Sequence, residues 1–106
     1  MSLGNIKKIA NKPQWKNLGD LVTSVNRIRG YGDFYHYHLL ASGKIDIVLE
    51  SDVNILDIAA LAVIVREAGG HFTDLQGNEL SLDSTSVLAA SSKTIHEKTL
   101  KMIDYS

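Results

Sequence analysis

Three carboxylates and two histidines are the residues of this chain whose types and spacing could do chemistry. Asp57 stands in Asn54-Ile55-Leu56-Asp57-Ile58-Ala59-Ala60, at the start of an apolar helix that closes on Glu67-Ala68-Gly69-Gly70. A carboxylate there has two physical readings. It caps the helix, because the exposed N–H groups and the dipole of a first turn favour negative charge. Or it faces a cleft and holds a divalent cation against a phosphate, with the helix N-terminus adding its own attraction for anions. Glu50 ends an apolar run, and Asp33 follows Gly30-Tyr31-Gly32. All three acids fall near element ends, and α/β sheets bind ligands beyond the C-terminal ends of their strands. The plainer readings stand beside these: Asp33 as a helix N-cap, Glu50 and Asp52 as loop charges that keep a sheet edge wet. His36 and His38 make a His-x-His pair. On a strand they would share a face, but on the helix expected here they point nearly opposite ways and cannot chelate together. They read as histidines packed among Phe34, Tyr35 and Tyr37. His71 and His96 have no partner pattern, and Gly30-Tyr31-Gly32 lacks the rest of a P-loop or dinucleotide motif.

The elements that must position these residues follow from periodicity and punctuation. Residues 1–12 are polar and basic and read as a flexible lead-in. Pro13 suits a first helical turn, and Trp15, Leu18, Leu21, Val22 and Val25 recur after it at helical spacing. Residues 26–29 form a short candidate strand. A helix from Asp33 to about Ser42 is stopped by Gly43 in the left-handed region. Ile45, Ile47, Val48 and Leu49 read as a buried strand. Asn54 caps a helix from about Ile55 to Ala68, ended by Gly69-Gly70. Residues 71–75 read as a strand, 76–78 as a turn, 79–82 as a return strand and 87–90 as another buried strand. Ser91 or Ser92 then caps a final helix to about Ile103. This alternation argues for an α/β layered sandwich over residues 13–106, with a small mixed, mostly parallel sheet flanked by helices. The segment Ile58 to Val65 is apolar on nearly every side of its helix. It should therefore be covered on more than one face, which points to something packing on it from outside this domain.

Composition narrows the function classes. A chain of 106 residues makes one domain with a real core, small for an enzyme with a deep cleft. A net charge of -1 leaves no basic footprint for nucleic acid or an anionic membrane. The lack of cysteine removes disulfides, thiolate zinc sites and cysteine nucleophiles, and fits a cytoplasmic protein. The longest apolar run is too short to span a bilayer, and Met1-Ser2-Leu3-Gly4 lacks the features of a signal peptide.

The stretch from Arg29 to Gly77 resembles the C-terminal half of the inositol monophosphatase family, the magnesium-dependent, lithium-sensitive phosphomonoesterases. The likeness is carried by Arg29, Gly32-Asp33, Ala41-Ser42-Gly43, Glu50, Asn54, Asp57 with Ala59-Ala60, Glu67-Ala68-Gly69-Gly70 and Asp74. Tyr31-Gly32-Asp33, and the placing of Asn54 ahead of Asp57, look more like the histidinol-phosphate phosphatase branch. Leu56 stands where the family usually has Trp. The family's Glu-Glu pair and Asp-Pro-Ile/Leu-Asp-Gly-Thr segment do not occur in these residues. In the family those motifs supply most metal ligands and the carboxylate that orients the attacking water.

The resemblance implies the C-terminal domain of a phosphomonoesterase that hydrolyses a small phosphorylated alcohol, such as inositol monophosphate or histidinol phosphate, by metal-activated water. It implies Asp57 as a ligand of the metal near the leaving-group oxygen, with Gly32, Asp33 and Glu50 toward the organic part of the substrate. No catalytic residue is expected within the chain itself. Mg²⁺ would be shared with an N-terminal half and bound weakly or not at all by these residues alone, leaving the isolated chain inactive. The expected partners are the phosphorylated substrate, that N-terminal half, and a second copy of the chain through the apolar area left uncovered. The rival reading is an α/β binding or assembly module that kept the fold and lost the chemistry.

Overall fold

The computed structural model describes residues 1–4, 6–28, 30, 35–51, 53 and 55–104, with the side chains of Lys8, Ile55 and Asp57 outside that description. Among the described residues four strands form one sheet: β1 (Ser2–Gly4), β2 (Ile47–Ser51), β3 (His71–Thr73) and β4 (Ser86–Ala90). The helices described with them are α1 (Ile6–Ala10), α2 (Trp15–Ser24), α3 (Tyr35–Ala41), α4 (Ile55–Glu67) and α5 (Lys93–Ile103). The strand order is β1-β2-β4-β3.

The layered α/β architecture with a mixed sheet is the expected one, but the sheet is not mostly parallel. Only β1 pairs parallel with β2, while β2 with β4 and β3 with β4 are antiparallel. The helical crossover α4 does leave β2 and β3 running the same way, as strand–helix–strand alternation requires. β4 then inserts between them in the opposite sense, so neither touches the other.

Strand alternation divides the core into two layers. Val48, Val87, Ala89 and Phe72 face α3 and α4, where they pack with Tyr37, Leu40, Ile58, Leu61, Ala62 and Val65. Leu3, Ile47, Leu49 and Leu88 face the other way and pack with Ile9, Leu18, Leu21, Leu75 and Ile103 from the opposite side of the sheet. Residues 1–12 thus do more than lead in. Ser2 to Gly4 pair with Val48 to Glu50 in the sheet, and Leu3 and Ile9 are buried. Leu3 and Ile9 are the apolar positions of this otherwise polar stretch that reach the core.

Other boundaries shifted for local reasons. Helix α2 starts at Trp15 with no side-chain cap, so Pro13 precedes the helix and is not part of its first turn. Residues 26–28 carry no strand, and Arg29, the last residue of the strand expected there, lies outside the described residues. The return strand at 79–82 is also missing, because β4 takes the place beside β3. Leu82 is left 81% exposed, and the Ser84 hydroxyl accepts the Ser81 N–H in a local turn. Asp74 holds the 76–78 turn by accepting the N–H groups of Gln76 and Asn78, each at 2.9 Å. Of the two serines offered as caps for α5, Ser92 does the capping. Its Oγ accepts the Ile95 N–H, whereas the Ser91 hydroxyl donates to Asp46.

Helix α4 ends as its sequence says. Gly69 takes φ +87, and the Gly70 N–H closes on the Val65 carbonyl at 2.9 Å. A Cβ on Gly70 would sit 2.7 Å from Val65 Cγ1 and 2.9 Å from the Ala90 carbonyl, so the pair of glycines serves chain reversal and close packing. One side of α4 is buried through Ile58, Leu61, Ala62 and Val65, while Leu56, Val63 and Ile64 remain exposed along with Ala59 and Ala60. No described helix is long and apolar enough to cross a membrane.

Between α5 and β3, His96 is buried with its Nε2 at 2.8 Å from the Thr73 hydroxyl. That hydroxyl gives its one proton to the Asp74 carbonyl, so His96 must donate through Nε2–H. Burial, and secondarily the neighbouring His71, hold the His96 pKa below its ordinary value. The neutral ring is therefore the one that fits the fold. Its stabilisation is complete above the unfolded pKa of about 6.5 and is lost as pH falls through the lower folded value. Urea unfolding followed across this window is expected to show that fall, and His96→Gln is expected to flatten it. An unchanged slope in the variant would assign the pH dependence to other groups.

Candidate functional site

The site is built at the C-terminal end of β2. Glu50 precedes the last residue of that strand, and α4 begins at Ile55, placing Asp57 on its first turn. Gly32 and Asp33 lie outside the described residues, as does the side chain of Asp57. Glu50 is the one candidate whose side-chain surroundings are on view.

Glu50 shares its face of β2 with Val48, so it points toward α3 and not out along a wet edge. Its Oε1 accepts a hydrogen bond from the Tyr37 hydroxyl at 2.5 Å, within the range of charge-assisted O–H···O⁻ bonds. Behind Tyr37, the His36 ring is fully buried and meets the tyrosine edge-on, centroids 4.4 Å apart. His36 Nδ1 is 3.0 Å from the Ser2 hydroxyl, and Nε2 faces Glu50 Oε1 at 3.6 Å without a hydrogen bond. The Glu50 side chain is 13% exposed. It lies over Gly4, its register partner on β1, where a Cβ would collide with the carboxylate. Burial, and then the Glu50 charge, push the Tyr37 phenol far above its ordinary pKa, so it remains a donor.

This arrangement corrects one plain reading of the sequence and refines another. Glu50 is not a loose loop charge, since a hydroxyl and an imidazole edge line its inner side. His36 and His38 do fall on opposite sides of a helix, one buried and the other exposed, so they form no chelating pair. His36, however, belongs to a polar cluster and not to ordinary aromatic packing. The signal that could have found it was the alternation Val48–Glu50. A carboxylate on the core face of a strand demands buried donors, and Tyr37 and His36 are spaced to provide them.

Serine, histidine and glutamate in contact invite a nucleophilic reading, and the burial order removes it. Ser2 is wholly buried while Glu50 touches solvent, the reverse of what an attacking hydroxyl needs. Glu50 Oε1 is taken up by Tyr37 and faces a ring nitrogen, which leaves Oε2 as the oxygen able to meet another group. No group of three or more His, Cys, Asp or Glu residues able to hold a metal ion occurs among the described residues. The donor set on view is too small for the near-octahedral oxygen shell of Mg²⁺.

The model of the inositol monophosphatase family matches residues 4–105. The chain belongs to that family. Family membership accounts for the ordered run of motifs from Arg29 to Gly77 and extends the likeness to nearly every residue. A histidinol-phosphatase of Mycobacterium tuberculosis is 51% identical over 57 residues, which is 54% of this chain and 22% of that protein. One from Streptomyces coelicolor is 41% identical over 81 residues, 76% of this chain and 30% of its own length. A solved inositol monophosphatase from Zymomonas mobilis superposes with a TM-score of 0.82 at 28% identity, across 97% of this chain and 42% of that one. The chain therefore spans less than half the length of each of these family members.

Proposed function

We propose that this chain forms the C-terminal domain of a phosphomonoesterase acting on a small phosphorylated alcohol, with histidinol phosphate or inositol monophosphate as the substrate. The family match over residues 4–105 carries this reading. The identity with the two histidinol-phosphatases, together with Tyr31-Gly32-Asp33, favours the first substrate. Asp57 is the residue we assign to a divalent cation, Mg²⁺, shared with residues outside this chain. When bound, that ion would polarise a phosphoryl oxygen and lower the pKa of a water. Gly32, Asp33 and Glu50 are assigned to the organic part of the substrate. Glu50 supports that role by keeping a carboxylate at the rim of the sheet with only one of its oxygens engaged.

The assignment makes these 106 residues insufficient by themselves. The isolated chain is expected to release no phosphate above background from L-histidinol phosphate or myo-inositol 1-phosphate with Mg²⁺. It is also expected to self-associate through the apolar side of α4, where Leu56 is 76% and Val63 55% exposed. Phosphate release by malachite green and sedimentation equilibrium check the two. Robust turnover by the chain alone would show that the active site has been misplaced. A non-catalytic module that kept the fold would instead leave the whole protein silent on both substrates.

A further inference from the structure

We propose that Tyr37, backed by His36 and admitted by Gly4, is a positioning residue that presents one oxygen of Glu50 to the substrate. The inference rests on the assignment of Glu50 to the organic part of the substrate and adds how that carboxylate is held.

A glutamate on a half-buried strand face has three rotatable bonds and would sample several directions. Three features here leave it one. The Tyr37 hydroxyl takes Oε1. The bare Cα of Gly4 opens the space that the other oxygen occupies. His36 closes the inner wall, held by Ser2 at 3.0 Å and turned so that Nε2 faces Oε1 at 3.6 Å. A proton on Nε2 gives the anion a facing N–H, whereas the other tautomer would set a lone pair against it. His36 Nε2 is fully buried and has no hydrogen-bond partner among the described residues, and the carboxylate it faces is that of Glu50. Oε2 accepts no hydrogen bond among the described residues. The Glu50 side chain keeps 13% of its surface open to solvent, so Oε2 is the atom that would meet a hydroxyl or ammonium of the substrate.

Positioning makes a specific kinetic claim. Tyr37→Phe keeps the ring packed on Phe72 and His36 and removes only the hydroxyl. In the whole protein assayed on L-histidinol phosphate with Mg²⁺, it should raise KM about tenfold while kcat changes little, as for a lost hydrogen bond to a charged group that orients bound substrate. Glu50→Gln should raise KM at least as much, and Tyr37→Phe added to Glu50→Gln should raise it no further. Gly4→Ala, whose Cβ displaces the flexible end of Glu50, should reproduce the Tyr37→Phe effect and serves if that variant does not fold. If Glu50→Gln raises KM but Tyr37→Phe and Gly4→Ala do not, the positioning role is overturned and the assignment of Glu50 survives. If Glu50→Gln leaves KM unchanged, or the wild-type protein releases no phosphate, the underlying assignment fails and the positioning role with it. A fall in melting temperature without the KM shift would mark Tyr37 as structural only.

Discussion

Asp57→Asn in the whole protein is expected to cut Mg²⁺-dependent phosphate release by about a thousandfold, the scale of losing one charge-stabilising group at the reacting centre. The melting temperature should hardly move. Asp57 is the third residue of α4, so Asn keeps its size there and gives up only a charge–dipole attraction of about 0.3–1 kcal/mol. A divalent cation is more demanding, because a neutral amide oxygen replaces a carboxylate at a site where charge count sets affinity. The two readings of Asp57 therefore separate in one variant. Loss of turnover with an intact fold assigns it to the metal, and unchanged turnover leaves it as a helix charge. Raising Mg²⁺ should recover part of the lost rate if weakened binding is the cause, which a purely structural defect would not allow.

The fold was legible wherever a physical rule acts locally. Gly43, Gly69 and Gly77 all adopt positive φ at the stops and turn expected of them, and Ser92 caps α5 through its hydroxyl. The apolar run through Leu49 became the central strand β2. What the sequence hid was non-local. Nothing in residues 86–90 says that their strand inserts between β2 and β3, because that choice is made by the sheet and not by the segment. Leu3 lies in a polar-looking stretch and finds its core only when β1 pairs with β2. The Glu50 cluster shows both limits together. The glutamate was visible as a candidate, but its partners Tyr37 and Gly4 stand 13 and 46 residues away in the chain. Reading Ile45 to Leu49 as one continuous apolar run also concealed the alternation that turns Glu50 inward. The α4 helix is the converse case. Its all-round hydrophobicity implies cover on more than one side, and the described residues supply one side only.

Phe72→Ala is expected to destabilise the domain by about 3–5 kcal/mol, the cost of deleting a large buried ring whose cavity the surroundings cannot fill. Phe72 is 2% exposed and sits on the short edge strand β3, where it joins α4 to the sheet and lies 5.4 Å, centroid to centroid, from the Tyr37 ring. Collapse around it is restrained on every side. Gly70 has no room to give against Val65 and Ala90, and Tyr37 is tethered by its hydrogen bond to Glu50. For a small domain with total stability of about 5–15 kcal/mol, such a loss is a large fraction of the whole. Urea unfolding should show the midpoint falling with little change in slope, and Phe72→Leu, which leaves a smaller void, should fall between wild type and alanine. Leu82→Ala, at a side chain already in solvent, should stay within about 0.5 kcal/mol of wild type and serves as the control. A Phe72→Ala cost as small as that of Leu82→Ala would mean that the layer between α4 and the sheet is loosely packed. Tyr37 would then lack the rigid backing that its grip on Glu50 requires.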